Sequence, residues 1–265
     1  MIALTRSVGN LDRCELTYRS RAPIDSDRAR AQHRQYERLL QELGAEVVSL
    51  PAEPDLPDAV FVEDAAVVLD ECALLPHMGA SSRRPESAGL AAALAAYRDL
   101  VHLPPPGTLD GGDVLLLGRT LFVGLSTRTD QEGIAALRER VEPLGYTVRP
   151  VPVRGCLHLK SACTDIGKGS LLVNPAWVDV ALFPGFDTIA IDPEEPEAAN
   201  VLRVGDTVVA SASFPRTAAR LAAHGLSVRA LDNSEFLKAE GGLTCTSLLF
   251  APSPSRRAPP RDTRV

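Results

Sequence analysis

One arrangement of polar and apolar positions recurs along this chain. A stretch with helical spacing ends at a glycine or similar breaker, and a short β-rich run follows, closing near Pro or Asp. It runs from Gln35 to Pro51 with a break at Gly44, from Leu94 to Pro104, and from Ile134 to Pro150 with a break at Gly145. A degraded copy spans Trp177 to Asp192, and the last spans Ala218 to Leu231 with a break at Gly225. Between these phrases lie pairs of apolar runs with turn residues between them, which predicts hairpins. Val60–Leu69 turns into Cys72–Leu75, Asp113–Leu117 into Thr120–Gly124, Ser161–Asp165 into Ser170–Val173, and Asn200–Val204 into Thr207–Ala210. A fifth pair forms only if Thr244–Ala251 meets Ile2–Arg6. The result is five ββαβ-like units of about 40–50 residues, a period that predicts radial repetition around a central channel. An ordinary α/β sandwich with accidental regularity is the alternative.

No long linker interrupts the repeats, so residues 1–251 are expected to form one α/β domain. Residues 252–265 are rich in Pro and Arg and are expected to be a disordered tail. Of the 265 residues, 45% are hydrophobic, enough for a large core. The net charge is −6, which argues against a nucleic-acid partner. No signal peptide or run long enough for a membrane span is evident. The five cysteines are widely spread without metal-type spacing, which predicts reduced thiols and a cytoplasmic protein, with no disulfide framework and no zinc site.

Cys245 follows Gly241-Gly242 at the start of an apolar run, where glycines could hold a thiol at an exposed turn. A thiolate there could be a nucleophile, and an inert core cysteine is the other reading. Glu63 and Asp64 interrupt a strand-like run, with Asp58 just before it. They mark either an exposed strand end or acids set for a cation. Asp110 and Asp113 flank two glycines, as a plain turn or as a mount for Asp110. His158 lies between leucines, as a core histidine or a catalyst. Arg83-Arg84 and Arg128 follow the second strand of two successive hairpins. They are either solvated loop arginines or, being equivalently placed, a shared anion site whose forks match a carboxylate bidentately. Cys, His and Asp suffice for nucleophilic catalysis. Further acids suit a cationic group and the arginines a carboxylate, which describes an arginine-like substrate.

Six stretches carry a resemblance: Pro57–Asp64, Gly79–Arg84, Leu109–Asp113, Gly124–Thr129, Leu157–Ser161 and Gly241–Cys245. In this order, over nearly the whole chain up to about Phe250, they resemble dimethylarginine dimethylaminohydrolase, a family of the guanidine-modifying (pentein) superfamily. The resemblance implies a five-bladed pseudosymmetric α/β propeller. It implies Cys245 as nucleophile, His158 as general acid/base and Asp110 as the acid that orients His158. It sets Glu63 and Asp64 against the guanidinium and Arg83 and Arg128 against the α-carboxylate. Asp58 and the backbone carbonyls of Leu16 and Ala239 would receive the α-amino group. Leu16 lies on a loop of about residues 9–25 that resembles the family's lid. No metal or other cofactor is implied. The expected partner is a small molecule, a methylated arginine, and the chain would be a monomer or homodimer.

Lys160 stands two residues after His158, where arginine deiminases and amidinotransferases carry an acid that grips the second side of an unsubstituted guanidinium. A methylated nitrogen has no N–H pair for such an acid, so Lys160 favours a substituted arginine. His77-Met78 and Asp130 depart from the family's usual residues. A hydrolase of another substituted guanidine, an arginine deiminase and a non-catalytic binder of arginine derivatives are the alternatives. The intact Cys245, His158 and Asp110 set speaks against the binder, since binding alone needs no thiol.

Overall fold

Runs such as Ile2–Leu4 and Cys72–Leu75 are apolar at successive positions and need cover on both faces. The structure, a computed structural model, describes residues 1–252 and supplies that cover five times over. The expected tail, residues 252–265, lies outside the described residues apart from Pro252. In chain order the elements are β1 (Ile2–Arg6), α1 (Ser26–Glu42), β2 (Glu46–Leu50), β3 (Val67–Val68), β4 (Cys72–Leu75), α2 (Glu86–Leu94) and β5 (Asp99–His102). Then come β6 (Val114–Leu117), β7 (Thr120–Leu125), α3 (Gln131–Val141), β8 (Thr147–Pro152), α4 (Leu159–Ala162), β9 (Cys163–Gly167), β10 (Ser170–Val173) and β11 (Asp187–Ala190). The chain finishes with β12 (Leu202–Val204), β13 (Thr207–Ser211), α5 (Pro215–Ala223), β14 (Ser227–Leu231), α6 (Ser234–Leu237) and β15 (Leu248–Phe250).

These strands make five three-stranded sheets, β15-β1-β2, β3-β4-β5, β6-β7-β8, β9-β10-β11 and β12-β13-β14. In each, an antiparallel pair is followed by a parallel third strand. The crossover runs through α1, α2, α3 or α5, as parallel pairing demands. The degraded fourth copy crosses by a 3₁₀ turn at Val180–Leu182, ahead of Pro184-Gly185, where a helix cannot continue. Central strands β1 and β4 are buried throughout, while the third strand β2 is half-buried to exposed and β11 is largely exposed. The first strands of all five sheets line one central cavity, with Val67, Val114, Thr164, Leu202 and Leu248 among its walls. The expected five-bladed α/β propeller is the observed fold.

The two chain regions that complete the first blade pair as expected, Ile2 opposite Phe250 and Leu4 opposite Leu248. Helix α1 starts on the Asp25 carboxylate, which accepts from the amides of Asp27 and Arg28. Its buried face, Ala29, Gln32, His33, Tyr36, Leu39 and Leu40, has the 3.6-residue period of a helix packed on one side.

Two strand assignments are corrected. Val60–Ala66 is not strand but successive tight turns, with Phe61 N–H donating to Asp58 O (2.9 Å), Asp64 N–H to Phe61 O (3.2 Å) and Ala65 N–H to Val62 O (3.3 Å). Likewise Thr244–Ser247 is a turn, and only Leu248–Phe250 extends. Both segments sit at the hub, where every side chain is buried whichever way it points. An apolar run there carries no strand periodicity. All five cysteines are free, and no helix among the described residues is long and apolar enough to cross a membrane.

Candidate active site

The two hub turns and three loops converge on a small pocket. It is lined by Asp58, Asp64, Arg83, Arg128, His158, Ala239 and Cys245, with Glu15, Phe61, Leu157, Glu240 and Gly241 around them. Cys245 is buried rather than exposed as expected. The turn before β15 aims its Sγ back at the Gly242 N–H, which donates to it at 3.3 Å. The Glu63 amide in turn donates to the Cys245 carbonyl at 3.1 Å, which locks the two hub turns together. Burial and the nearby carboxylates of Glu63 and Asp64 push the Cys245 thiol far above its ordinary pKa, so it rests protonated.

His158 immediately precedes α4 and is buried. Its Nε2 meets Asp110 Oδ2 at 3.1 Å, and its Nδ1 stands 3.6 Å from Asp64 Oδ1, beyond hydrogen-bond reach. Burial favours the neutral imidazole. The Asp64 charge, the Asp110 hydrogen bond and the Asp113 charge outweigh it and raise His158 to about 9. Asp110 lies wholly buried behind the imidazole, and its other oxygen accepts from Gly79 N–H at 2.9 Å. Gly112 makes this packing possible. A Cβ there would collide with Asp64 Oδ1 and His158 Nδ1 at once.

Asp64 is held below the usual carboxylate range, because His158 and Arg83 outweigh the cost of its burial. One oxygen accepts from Arg83 Nη1 at 2.7 Å. The other, Oδ1, is buried with no hydrogen-bond partner. Across the pocket, Arg128 Nη2 donates to Thr17 Oγ1 at 3.2 Å, and its Nη1 is buried with none. An unsatisfied buried carboxylate oxygen and an unsatisfied buried guanidinium nitrogen therefore face one small pocket.

Three placements differ from the sequence expectations. Glu63 does not line this pocket. It turns into the central cavity, where Lys160 Nζ lies 2.6 Å from Oε1 and Thr244 Oγ1 donates to Oε2 at 2.6 Å. Adjacent residues on a tight turn point to opposite sides, so Asp64 faces the pocket and Glu63 the channel. Arg83 is not a free fork. Nε and Nη2 grip Glu86 at 3.0 and 2.8 Å, Nη1 grips Asp64, and the second Nη2 hydrogen is shared by the carbonyls of Asp58 and Phe61 (3.3 and 3.4 Å), which leaves one Nη1 hydrogen to offer. Leu16 is half-buried on the loop over the pocket but not among its lining residues. Asp58 lines the pocket, and its carboxylate already accepts from the Glu15 amide at 3.0 Å.

Two residues, Glu86 and Glu240, had no place in the sequence reading, and a third, Asp113, appeared there only as the acid that ends the glycine turn. Burial raises Glu86 to about 7 even beside Arg83, and its spacing of three from Arg83 at the start of a helix was the available signal. Asp113, raised by burial to about 6, accepts from the Leu159 amide (2.8 Å) and from Ser126 Oγ (2.6 Å), and so fixes the start of α4 beside His158. Glu240 reaches the loop over the pocket. Glu240 had no sequence signal, because its partners lie far away in the chain.

A propeller whose hub carries Cys, His and paired acids defines the guanidine-modifying pentein class. A family model described as N,N dimethylarginine dimethylhydrolase, eukaryotic, matches residues 11–174. A dimethylarginine dimethylaminohydrolase of Streptomyces coelicolor is 42% identical over 235 residues, covering 88% of this chain and 90% of the relative. That of Pseudomonas aeruginosa is 33% identical over 228 residues, covering 85% and 90%. A crystal structure of the Pseudomonas aeruginosa enzyme, a cysteine-to-serine variant complexed with citrulline, superposes with a TM-score of 0.89 at 31% identity. It covers 94% of this chain and 98% of that one. The N-terminal domain of a cyanobacterial arginine dihydrolase shares the fold, with a TM-score of 0.80 at 21% identity. The chain belongs to the dimethylarginine dimethylaminohydrolase family, hydrolases acting on C–N bonds.

Proposed function

We propose that this protein hydrolyses Nω,Nω-dimethyl-L-arginine, and the monomethyl analogue, to L-citrulline and the methylated amine. The observation that carries this is the pair of orphan groups in one pocket, Asp64 Oδ1 and Arg128 Nη1, beside a buried thiol. They match a guanidinium at one end and a carboxylate at the other, and the relatives' names agree. Arg128 is the principal carboxylate donor, with Arg83 adding its one remaining N–H. Asp58, together with the backbone carbonyls of Ala239 and Leu16, receives the α-amino group.

The chemistry follows from the resting protonation states. A guanidinium drawn to Asp64 brings a positive charge beside Cys245 and cancels much of the field that holds the thiol protonated. The thiol releases its proton to solvent, and Sγ attacks Cζ. The C–N bond to the substituted nitrogen breaks as His158 delivers a proton from Nδ1, the ring nitrogen on the Asp64 side rather than the one bonded to Asp110, and the amine leaves. A covalent S-thiouronium remains on Cys245. Neutral His158 then takes a proton from water, whose oxygen adds to the same carbon. Collapse expels Sγ and gives citrulline. Asp64 stabilises the cation through both halves.

Two outcomes check this scheme. His158 must be protonated to release the amine, so kcat/KM should fall as pH rises through about 9. Asp110→Asn removes an anion that favours the protonated ring, so this alkaline limb should move to lower pH by about one unit. A limb that stays in place would remove Asp110 from the role of orienting acid. The second outcome concerns selectivity. Lys160 is locked on Glu63, and no second acid is offered to an unsubstituted guanidinium, so arginine should be turned over at least about a hundredfold more slowly than dimethylarginine. Comparable citrulline release from both would overturn the reading of Lys160. The direct test is paired release of dimethylamine and citrulline, one for one.

A further inference from the structure

The loop over the pocket contains only one short 3₁₀ turn, at Leu11–Arg13, so little of its own backbone bonding holds it down. Most of its ties to the body are single. Asp58 accepts from the Glu15 amide, Ser82 Oγ donates to Glu15 Oε1 (2.5 Å), and Arg128 meets Thr17 Oγ1. Glu240 is different. Its carboxylate accepts from three consecutive loop amides, Thr17 (3.0 Å), Tyr18 (2.6 Å) and Arg19 (2.5 Å). Arg19 then pairs with Glu197 on the far side. Glu240 also has φ +57, a left-handed conformation that a side chain adopts at a cost. Glycine would take it freely, and the next two residues are glycines.

A carboxylate is the one side-chain group with enough acceptor sites for three such amides. Glu240 sits between Ala239, which lines the pocket, and the Gly241-Gly242 pair that presents an N–H to Cys245 Sγ. The same segment also holds the loop's far end, since Glu235 accepts from the Asp25 amide at 2.9 Å. We infer that Glu240 is a positioning residue that latches the loop over the substrate, fixing the segment that carries the Leu16 carbonyl relative to the nucleophile turn. The backbone strain at φ +57 is kept because the latch needs a carboxylate there. The inference rests on the proposed reaction only for its kinetic consequence.

Glu240→Gln keeps the size but loses the charge and one acceptor oxygen. Glu240→Gly removes the latch and relieves the strain. In both variants KM for asymmetric dimethylarginine should rise about tenfold while kcat stays within about threefold, since the chemical groups are untouched. Amide hydrogen exchange at Thr17, Tyr18 and Arg19 should quicken about tenfold or more. Exchange in the buried central strand β4 should keep its wild-type rate, which a general destabilisation would not allow. Exchange at these three amides unchanged in both variants would overturn the latch, and so would an equal quickening in β4. Exchange is read without substrate. A wild type inert to dimethylarginine would therefore sink the proposed reaction and leave the latch to be decided by exchange.

Discussion

Cys245→Ser should abolish citrulline and dimethylamine release, with a loss of at least about ten-thousandfold, while the protein stays folded. The substitution exchanges one atom at a buried turn where the Gly242 N–H can donate to oxygen as it does to sulfur. Packing around Phe61, Phe236 and Ala239 should survive, and the melting temperature should stay within a few degrees of wild type. A serine hydroxyl is far harder to ionise than a thiol, and His158, already carrying its proton, cannot act as the base that would activate it. Substrate should still bind, because Asp64 and Arg128 are unchanged, so the variant should be a tight, dead complex. Equilibrium binding of dimethylarginine beside the turnover assay checks both halves. Substantial residual turnover would mean that water is activated directly and no covalent intermediate forms.

Asp64→Asn should lower kcat/KM for dimethylarginine by about a thousandfold. Two losses combine and outweigh one gain. The buried anion that faces the guanidinium is lost and so is the charge that raises His158, while the Cys245 thiol, relieved of the Asp64 charge, ionises more easily. Folding should be preserved, because asparagine keeps the volume and its oxygen can still accept from Arg83, whose fork stays paired with Glu86. Intact melting beside collapsed turnover is therefore the expected pair of results. The same assay on Glu63→Gln separates two adjacent acids of different duty. Glu63 faces the channel and Lys160, so its loss should cost far less turnover than the loss of Asp64. Equal losses would mean that the guanidinium reaches both.

The radial plan was legible because hairpin, helix and third strand each leave a local signature of turn residues and period, and those signatures recur. The hub was harder to read. Val60-Phe-Val62 looks like strand because a fully buried turn shows no polar face, and only the hydrogen bonds from Phe61, Asp64 and Ala65 reveal the reversals. Once the segment is a turn, the two acids diverge, which a strand reading could not separate. The residue types for the pocket were visible as polar interruptions, but their pairing was not. Arg83 finds Asp64 and Glu86, and Glu240 finds residues 17–19 more than two hundred positions away. Such partners are decided by closure of the ring, which no local window contains.

That closure has a consequence for synthesis. The strand at Ile2–Arg6 pairs with Leu248–Phe250, so an early strand waits on one that follows it much later in the chain. A growing chain can assemble its middle blades early, but the ring stays open until residue 250 has emerged. Cys245 lies just before that closing strand and shares its turn with Glu63 through the Cys245 carbonyl. The Cys245 turn and the final seam are thus completed in the same late event. A chain still short of residue 250 has neither the closed ring nor the hydrogen bond that joins the Glu63 and Cys245 turns, so the proposed site should assemble only once the ring can close.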